Sequence, residues 1–586
     1  MPEKILVSVA WPYCNGDMHI GHIAGAYLPA DIFARYHRLR GNDVLMVSGS
    51  DTHGTPITVR AEEEGITPRA VVDRYHPRNT ETLRRLGISF DLFTETDTEN
   101  HWAITQELFK THLKHGYVYR DSMKQLYCLD CARWLADRYV EGVCSFCGHE
   151  AARGDQCDNC GRTYDAIELG FPRCGYCGGT HIEIRVTEHF FLDLARLNDP
   201  LLAWLNDGRK GHWRSNVINA TRARLESREL HGRPITRDIQ WGVPIPLPGY
   251  QDKRIYVWYD AVIGYLAASK EWAGLTGDPE AWRAWWQDPD ARAYYFIGKD
   301  NIEFHTIIWP GMLIGYDESL NLPYDVPANE YLNVEGRKLS KSRRWMIGMS
   351  DALDRYDPDP WRYALAASQP ESQDVNFTWD EFVRRNNEEL VSTWGNLANR
   401  VLGFAYKRFD GVVPEPGELD DDDRALLDQV APTFERATAC LDAVKLKAAL
   451  GEAMALAREA NRYLNLKEPW QQIKVDQAAA ATSIYVALRV IDSLKTLFAP
   501  FLPFTSQQLH EYLGYDGQLF GRLYTEEVTE TERRHLVLRY DGSGAYPGWA
   551  PSELAPGQAL RQPGPLYLKL EPNVVDEEIE RMAAGA

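Results

Sequence analysis

The sequence predicts an α/β protein: a doubly wound parallel sheet, interrupted by an insertion and followed by an all-α helical bundle. Three observations point there. Ile5 to Val9 is a short apolar run rich in branched side chains, as a parallel strand buried on both faces should be. A loop with Pro12, Asn15 and Gly16 follows, then Ile23, Tyr27, Ala30 and Ala34 at helical spacing, then a second strand-like run from Val44 to Ser48. After about residue 380 the apolar residues fall on helical faces, Leu446, Leu450, Met454 and Ala457 on one and Ile484, Leu488, Ile491 and Phe498 on another, until Pro500 and Pro503 break the pattern.

Taken in order, the first strand–loop–helix–strand unit opens a nucleotide-binding sheet of Rossmann type. Ligands of such sheets sit beyond the carboxyl ends of strands, which directs the search to Trp11–His22 and Gly49–Gly54. From residue 118 the composition changes, and Tyr127 to Thr180 is rich in Gly and Cys with few aliphatics, too poor in apolar residues to fold without a staple. Aromatic and apolar content returns at Ile255–Tyr259, and Tyr294–Ile297 reads as another buried strand. The sheet is therefore expected in two halves, 1–117 and 234–345, with an insertion at 118–233, a linker region at 346–390, a helical bundle at 391–540 and a Gly/Pro-rich tail at 541–586 lying over the surface.

The chain has 586 residues, 44% hydrophobic and 25% charged, ordinary for a globular protein. No long uncharged apolar run and no signal-type leader are present, so a cytoplasmic protein without a membrane span is expected. The net charge of −20 argues against a nonspecific nucleic-acid coat and leaves a local basic patch open. Of 10 cysteines, Cys14 and Cys440 stand alone. The other eight form four C-x-x-C pairs: Cys128/Cys131, Cys144/Cys147, Cys157/Cys160 and Cys174/Cys177. A redox dithiol comes as a single pair, whereas four pairs so close together suit two structural Zn²⁺ ions, each held by four thiolates. Spacing alone does not say which pairs share an ion.

Two short motifs carry chemistry. His19-Ile20-Gly21-His22 follows a strand and loop and opens a helix, where imidazole N–H groups and free backbone amides suit a polyphosphate. Lys338-Leu339-Ser340-Lys341-Ser342, after a turn at Glu335-Gly336, presents two lysines and two hydroxyls to charge developing on a leaving pyrophosphate. Each alone reads as readily as a surface feature. Together they resemble the paired signature of the class I aminoacyl-tRNA synthetases, and Gly298-Lys299-Asp300, after a strand, resembles that class's third phosphate or ribose contact.

Within the class the chain resembles the methionyl-tRNA synthetase family. The strings are Ala10-Trp11-Pro12-Tyr13, Gly49-Ser50-Asp51-Thr52-His53-Gly54-Thr55-Pro56, Trp258-Tyr259-Asp260-Ala261-Val262-Ile263-Gly264-Tyr265, Phe304-His305 with Trp309-Pro310, the knuckle insertion, and Asn396-Leu397-Ala398-Asn399-Arg400. The resemblance implies ATP-dependent activation of L-methionine with Mg²⁺, then transfer to tRNA(Met), by a monomer. It implies that Asp51 holds the substrate ammonium, that Tyr265 and His305 lie near the thioether, and that Trp11, Tyr13, Trp258 and Trp309 line the pocket while Ala10 and Ala261 leave room. Aromatic neighbours suit a polarizable sulfur. It further implies nested knuckles (Cys144, Cys147, Cys157 and Cys160 on one zinc, Cys128, Cys131, Cys174 and Cys177 on the other), a tRNA stem contact at 346–390, and anticodon reading by Asn396, Arg400 and Trp470. Val262, Asn301 and Arg343-Arg344 depart from the family pattern. The competing readings are a class I synthetase for another amino acid and a non-catalytic tRNA-binding paralogue. The first conflicts, for leucine, isoleucine and valine, with the lack of room for a large editing insertion and, for cysteine, with the lack of a zinc-ligand set to match the lone early Cys14; the second conflicts with His19, His22, Lys338 and Lys341 being intact.

Overall fold

The computed structural model describes residues 2–135, 139–154, 157, 159–160, 162, 164–339, 345–546 and 548–585. The largest sheet among them has seven strands, in the order Ala328–Asn329, Arg292–Gly298, Lys4–Val9, Asp43–Ser50, Leu92–Glu95, Arg534–Asp541 and Arg522–Thr529. The first five are parallel, and the last two are joined on by antiparallel pairing. Lys4–Val9 is central and buried from Ile5 onward, which explains its unbroken apolar character. Its parallel neighbours, Asp43–Ser50 and Arg292–Gly298, come from opposite sides of the insertion. The crevice at their carboxyl ends is the topological switch point, the default ligand site of such a sheet. The helix after the first strand runs from Ile20 to Leu39, with a π-helical segment at Ile23–Tyr27.

The insertion is an arm. Val118–Cys128 and Ile182–Leu192 pair antiparallel along their whole lengths, from Val118↔Leu192 to Cys128↔Ile182. Short strands flank them, Arg133–Leu135 on one side and Arg233–Pro234 on the other. Beyond the far end lies a small sheet of Val140–Val143, Ala152–Arg153 and Gly170–Cys174. Its core is small, and Cys128, Cys144, Cys157 and Cys174 are four of the ten buried residues that form it among the described residues.

The expected helical faces pack as a bundle. Gln477–Phe498 is buried nearly all round, so its apolar residues are not confined to one stripe, and Leu446–Lys467 packs beside it. The helix ends before Pro500, and the next begins at Pro503. The expectation of helix through residue 540 needs correction. The bundle's helices stop at Tyr512, and Arg522–Asp541 is a hairpin that returns to the catalytic sheet, pairing Leu538 with Phe93. Its two strands pair antiparallel from Arg522↔Asp541 to Thr529↔Arg534. The tail also does more than lie over the surface. It buries Leu554, Leu560 and Tyr567 and ends in a helix, Val574–Gly585, whose Met582 packs beneath Trp379. Among the described residues no helix is long and apolar enough to cross a membrane.

Candidate active site

The two signature motifs meet at the switch point. His19 is extended (φ −120°, ψ 167°), its backbone N–H donates to His22 Nδ1 at 3.2 Å, and the two imidazoles stack with centroids 3.7 Å apart. Gly21 has no room for a side chain, because a Cβ there would lie 2.5 Å from Leu339 Cδ1 and 3.0 Å from the His19 ring. Leu339 thus fills the notch that the missing side chain leaves. On the far side of the lysine motif, the Ile20 N–H donates to Ile347 O (3.1 Å) and the Met349 N–H to Met18 O (2.8 Å). Ser340, Lys341 and Ser342 lie outside the described residues, as do Arg343 and Arg344.

The lysine motif starts on a tight hairpin. Leu332–Val334 pairs with Arg337–Lys338 across Glu335 (φ 47°) and Gly336 (φ 73°), the two positive φ angles of a type I′ turn. Leu332–Val334 also pairs in parallel with Val375–Phe377, so this small sheet spans the expected boundary at 345/346. Tyr331, which the sequence reading missed, gathers the charged groups. Its ring lies 4.0 Å from Lys299 Nζ and 5.8 Å from Lys338 Nζ, and its hydroxyl donates to Asp300. Lys299 is paired with Glu330 (2.6 Å) and Asp374 (2.8 Å), whereas Lys338 is exposed.

Beside this lies an aromatic pocket. Glycines make space for its rings, since a Cβ at Gly49 would meet Trp11 at 2.2 Å, one at Gly264 would meet Trp11 at 2.6 Å, and one at Gly54 would meet Tyr13 at 2.2 Å. Ala10 and Ala261 are half-buried. Tyr265, Tyr295, His305 and Trp309 form one buried cluster, with Tyr265–Tyr295 centroids 5.2 Å and Tyr265–Trp309 centroids 6.3 Å apart. The Trp309 indole donates to the Tyr295 hydroxyl at 3.0 Å. Tyr295 was missed because it was read only as strand core. His305 Nδ1 bonds to Asn301 O (2.8 Å), which fixes that nitrogen as the donor, so Nε2 accepts from the Tyr265 hydroxyl (2.7 Å). Burial drives His305 down to about 4, so the ring is neutral. Trp258 is half-buried and packs edge-on against Phe304, with centroids 5.3 Å apart.

Under the pocket runs a buried charge network. Asp51 is 3% exposed and its Oδ1 accepts from the His53 N–H at 3.2 Å. Burial, then the nearby Asp260 charge, push the Asp51 carboxyl well above the ordinary carboxylate range. Asp260 accepts from His53 (2.7 Å) and His101 (2.9 Å). Burial opposes the Asp260 charge, yet the two histidines hold the group down to about 2. His53, although buried, is raised to about 10 by Asp260 and then Asp97, so it is an imidazolium. The 2.7–2.9 Å spacings are those of hydrogen bonds.

At the arm's tip, Cys128 Sγ lies 3.7 Å from Cys177 Sγ and Cys131 Sγ 3.8 Å from Cys174 Sγ. In the second cluster Cys144–Cys160 is 3.9 Å and Cys147–Cys157 is 3.7 Å. These are far longer than a disulfide, and all ten cysteines are free thiols. They match the edge of about 3.8 Å of a tetrahedron whose corners are sulfurs about 2.3 Å from a central zinc. The geometry favours the nested pairing and fits two closed four-sulfur sites. At the opposite end, Asn396 and Arg400 sit one helical turn apart on Asn396–Arg408, both exposed, and the Arg400 guanidinium stacks 4.2 Å from the half-buried Trp470 ring.

With this geometry established, comparison with known proteins is decisive. The family described as tRNA synthetases class I (M) matches residues 5–402, and the anticodon binding domain of methionyl tRNA ligase matches residues 413–535. The chain belongs to the class I tRNA synthetases. Its place within them is the methionine–tRNA ligase family: it is 58% identical to the methionine–tRNA ligase of Thermomicrobium roseum over 586 residues, covering 100% of both chains. It is also 55% identical to that of Roseiflexus castenholzii, covering 100% of this chain and 99% of the other. Among solved structures, Mycobacterium tuberculosis methionyl-tRNA synthetase bound by methionyl-adenylate is similar, with TM-score 0.75, 26% identity, and coverage of 97% of this chain and 100% of that one.

Proposed function

We propose that this chain activates L-methionine with ATP to methionyl-adenylate and pyrophosphate, then transfers methionine to the 3′-terminal adenosine of tRNA(Met), initiator tRNA included. The methionine carboxylate oxygen attacks the α-phosphorus of ATP, the bond to the β-phosphate oxygen breaks, and pyrophosphate leaves. A ribose hydroxyl of tRNA then attacks the acyl carbon and AMP leaves. Mg²⁺ bound with ATP would neutralise phosphate charge. The protein contributes position and charge.

Asp51 takes the substrate ammonium. Burial and the Asp260 charge destabilise its carboxylate by more than His53 offsets, and a bound ammonium would supply the further compensation. The thioether lies against Tyr265 and His305, whose hydrogen bond leaves the phenol oxygen's remaining lone pairs and the ring faces toward sulfur. His19, Gly21 and His22 receive the phosphates. Lys338 and Lys341, with Ser340 and Ser342, follow the charge onto pyrophosphate. Lys299 and Asp300 bind ATP through the Tyr331 platform. Two zincs hold the arm's tip, and Asn396, Arg400 and Trp470 read the anticodon.

The observation that carries this reading is Leu339 seated in the Gly21 notch, which joins the two motifs where the loop bearing Trp11 and Tyr13 ends. The test is ATP–pyrophosphate exchange with each of the twenty amino acids. Methionine should support it best, and leucine proving the better substrate would overturn the assignment.

A further inference from the structure

The hairpin Arg522–Asp541 follows the bundle in sequence, yet it is the edge of the catalytic sheet. Its turn and second strand reach three catalytic elements, each of which carries a partner of the loop around Asp51. Arg533 Nη1 lies 2.5 Å from Asp97 Oδ1 and donates to the Asp97 carbonyl at 3.1 Å. Asp97 lies two residues past the end of the strand Leu92–Glu95. The Glu530 carboxylate accepts from the backbone N–H groups of Glu99 (2.7 Å) and Asn100 (2.9 Å), at the start of the helix that carries His101. His535 Nε2 bonds to Glu271 at 2.7 Å, on the helix that carries Asp260 and Tyr265.

Asp97 is the point where these contacts enter the site. Its carboxylate is 1% exposed, and its Oδ1 faces both Arg533 and His53 Nε2, the latter at 3.6 Å. Its Oδ2 is held by Arg69 at 3.1 Å. The His53 ring is therefore held between Asp97 on one side and Asp260 on the other. The same residue's backbone N–H donates to Asp51 Oδ1. Arg533 is itself fixed, with its guanidinium 4.2 Å from the Trp102 ring.

We propose that Arg533 is a positioning residue for the amino-acid site: the C-terminal hairpin clamps Asp97, which orients His53 and so holds the Asp51 carboxylate for the substrate ammonium. This rests on the reading of Asp51 as the ammonium ligand. It gives a segment beyond the anticodon-binding helices a part in methionine recognition. Arg69 supplies the second clamp on Asp97, so removing Arg533 loosens the loop without leaving Asp97 unpaired.

The test uses the full chain with Arg533→Ala, Arg533→Lys and, in parallel, Asp51→Asn. Pyrophosphate exchange is measured with methionine varied at saturating ATP and with ATP varied at saturating methionine, beside a melting curve. Arg533→Ala should raise the methionine KM roughly tenfold, the worth of one charge-assisted bond, and leave the ATP KM within about twofold. Arg533→Lys should recover part of that loss. A hairpin that only holds the sheet together would lower the melting temperature and the active fraction, with the methionine KM unchanged, and that result overturns the proposal. Equal rises in both KM values, or a lysine variant no better than alanine, overturn it too. If Arg533→Ala does not fold, the lysine variant decides alone, because its shorter single-point contact should still raise the methionine KM and a wild-type value would refute the clamp. If Asp51→Asn raises the methionine KM and the Arg533 variants do not, the clamp fails and the ammonium reading stands. If Asp51→Asn leaves it unchanged, the ammonium reading fails, and any effect of Arg533 runs by another route than the one proposed.

Discussion

At Asp51 two demands conflict, and the conflict is informative. Burial and the Asp260 charge raise its pKa, so in the ligand-free chain the folded state binds that proton more tightly than the unfolded state does. The sign follows: this group costs stability increasingly as pH rises from the ordinary carboxylate range to the raised value. Asp51→Asn removes the cost, and the expected outcome is a higher melting temperature at neutral pH, with the gap from wild type closing in acid. The same variant should raise the methionine KM at least roughly thirtyfold, since unpairing a buried charge costs about 2–5 kcal/mol. Melting curves across pH and exchange kinetics check both halves, and a less stable variant at neutral pH would refute the first. Gly21 makes a complementary case. Gly21→Ala drives a Cβ against Leu339 and the His19 ring, so kcat for exchange should fall by on the order of tenfold or more with the methionine KM nearly unchanged. A kcat equal to wild type would show that the notch is not needed. His19, His22 and Asp51 stand out in the sequence because they sit at a helix start or just past a strand end, whereas Tyr265, in mid-helix, and His305 are singled out only by the family-like strings around them. His53 as an imidazolium and Tyr331 as a platform were not legible there. His53 owes its charge to Asp260, 207 positions away, and no local pattern announces such a contact.

Among the elements, the knuckled arm was the easiest to foresee, because paired cysteines are a local signal and a Gly-rich stretch with few aliphatics needs a staple. The long arm strands were harder, since only Leu126 and a few other residues on Val118–Cys128 are buried and the rest read as polar loop. The sheet at the tip owes its core to sulfur, so metal should be required for its shape. Two zincs per chain are expected by elemental analysis. Cys144→Ser should release one and expose 139–180 to limited proteolysis, leaving methionine-dependent exchange largely intact because the tip does not line the pocket. A variant that retains two zincs, or a wild-type chain holding disulfides instead, would refute the assignment. The C-terminal hairpin was the opposite case. Its first strand, with the burial of a half-exposed edge and two adjacent glutamates, offers too little apolar alternation to separate from a loop, and the catalytic strand that its second strand pairs with lies more than four hundred positions earlier. Three π-helical segments, Ile23–Tyr27, Phe304–Ile308 and Arg385–Gly395, directly follow the histidine motif, carry His305 and precede Asn396. Such segments mark functional sites, but sequence periodicity does not distinguish them from ordinary helix.

Across the whole molecule, chemistry and tRNA reading are segregated, and the contacts that join them can be tested separately from either. Trp470 lies in the bundle, far in sequence from every phosphate or amino-acid motif, with Arg400 stacked on its face. Trp470→Ala should leave exchange intact and lower tRNA kcat/KM by roughly tenfold to a hundredfold, the cost of about 1–3 kcal/mol for one lost base stack. If the ring were only core packing, the melting temperature would fall and tRNAs with the native and a swapped anticodon would suffer equally. The junction between the two ends centres on Arg362. It is fully buried, with Nη2 2.6 Å from Asp31 on the helix that begins at the histidine motif. It also donates to the carbonyls of Leu86 (3.2 Å) in the catalytic half, and of Pro500 and Phe501 (both 2.8 Å) at the end of the bundle's central helix. One guanidinium thus ties together three segments of the chain, and Arg35 shares Asp31 at 2.9 Å. Burial opposes the Asp31 charge, but Arg35 and Arg362 outweigh it and hold the carboxyl below its ordinary range. A depressed carboxylate contributes stability that is present above its unfolded pKa and lost as pH falls through the folded one. Arg362→Met keeps the volume and removes the charge, leaving Asp31 half-paired and three carbonyls without donors. The expected loss is on the order of 3–5 kcal/mol at neutral pH, read as a lower denaturant midpoint at constant slope. The gap from wild type should narrow below the ordinary carboxylate range, where Asp31 takes up its proton. A midpoint unchanged at neutral pH, or a gap that widens in acid, would show that the junction is held by its apolar packing and not by this cation.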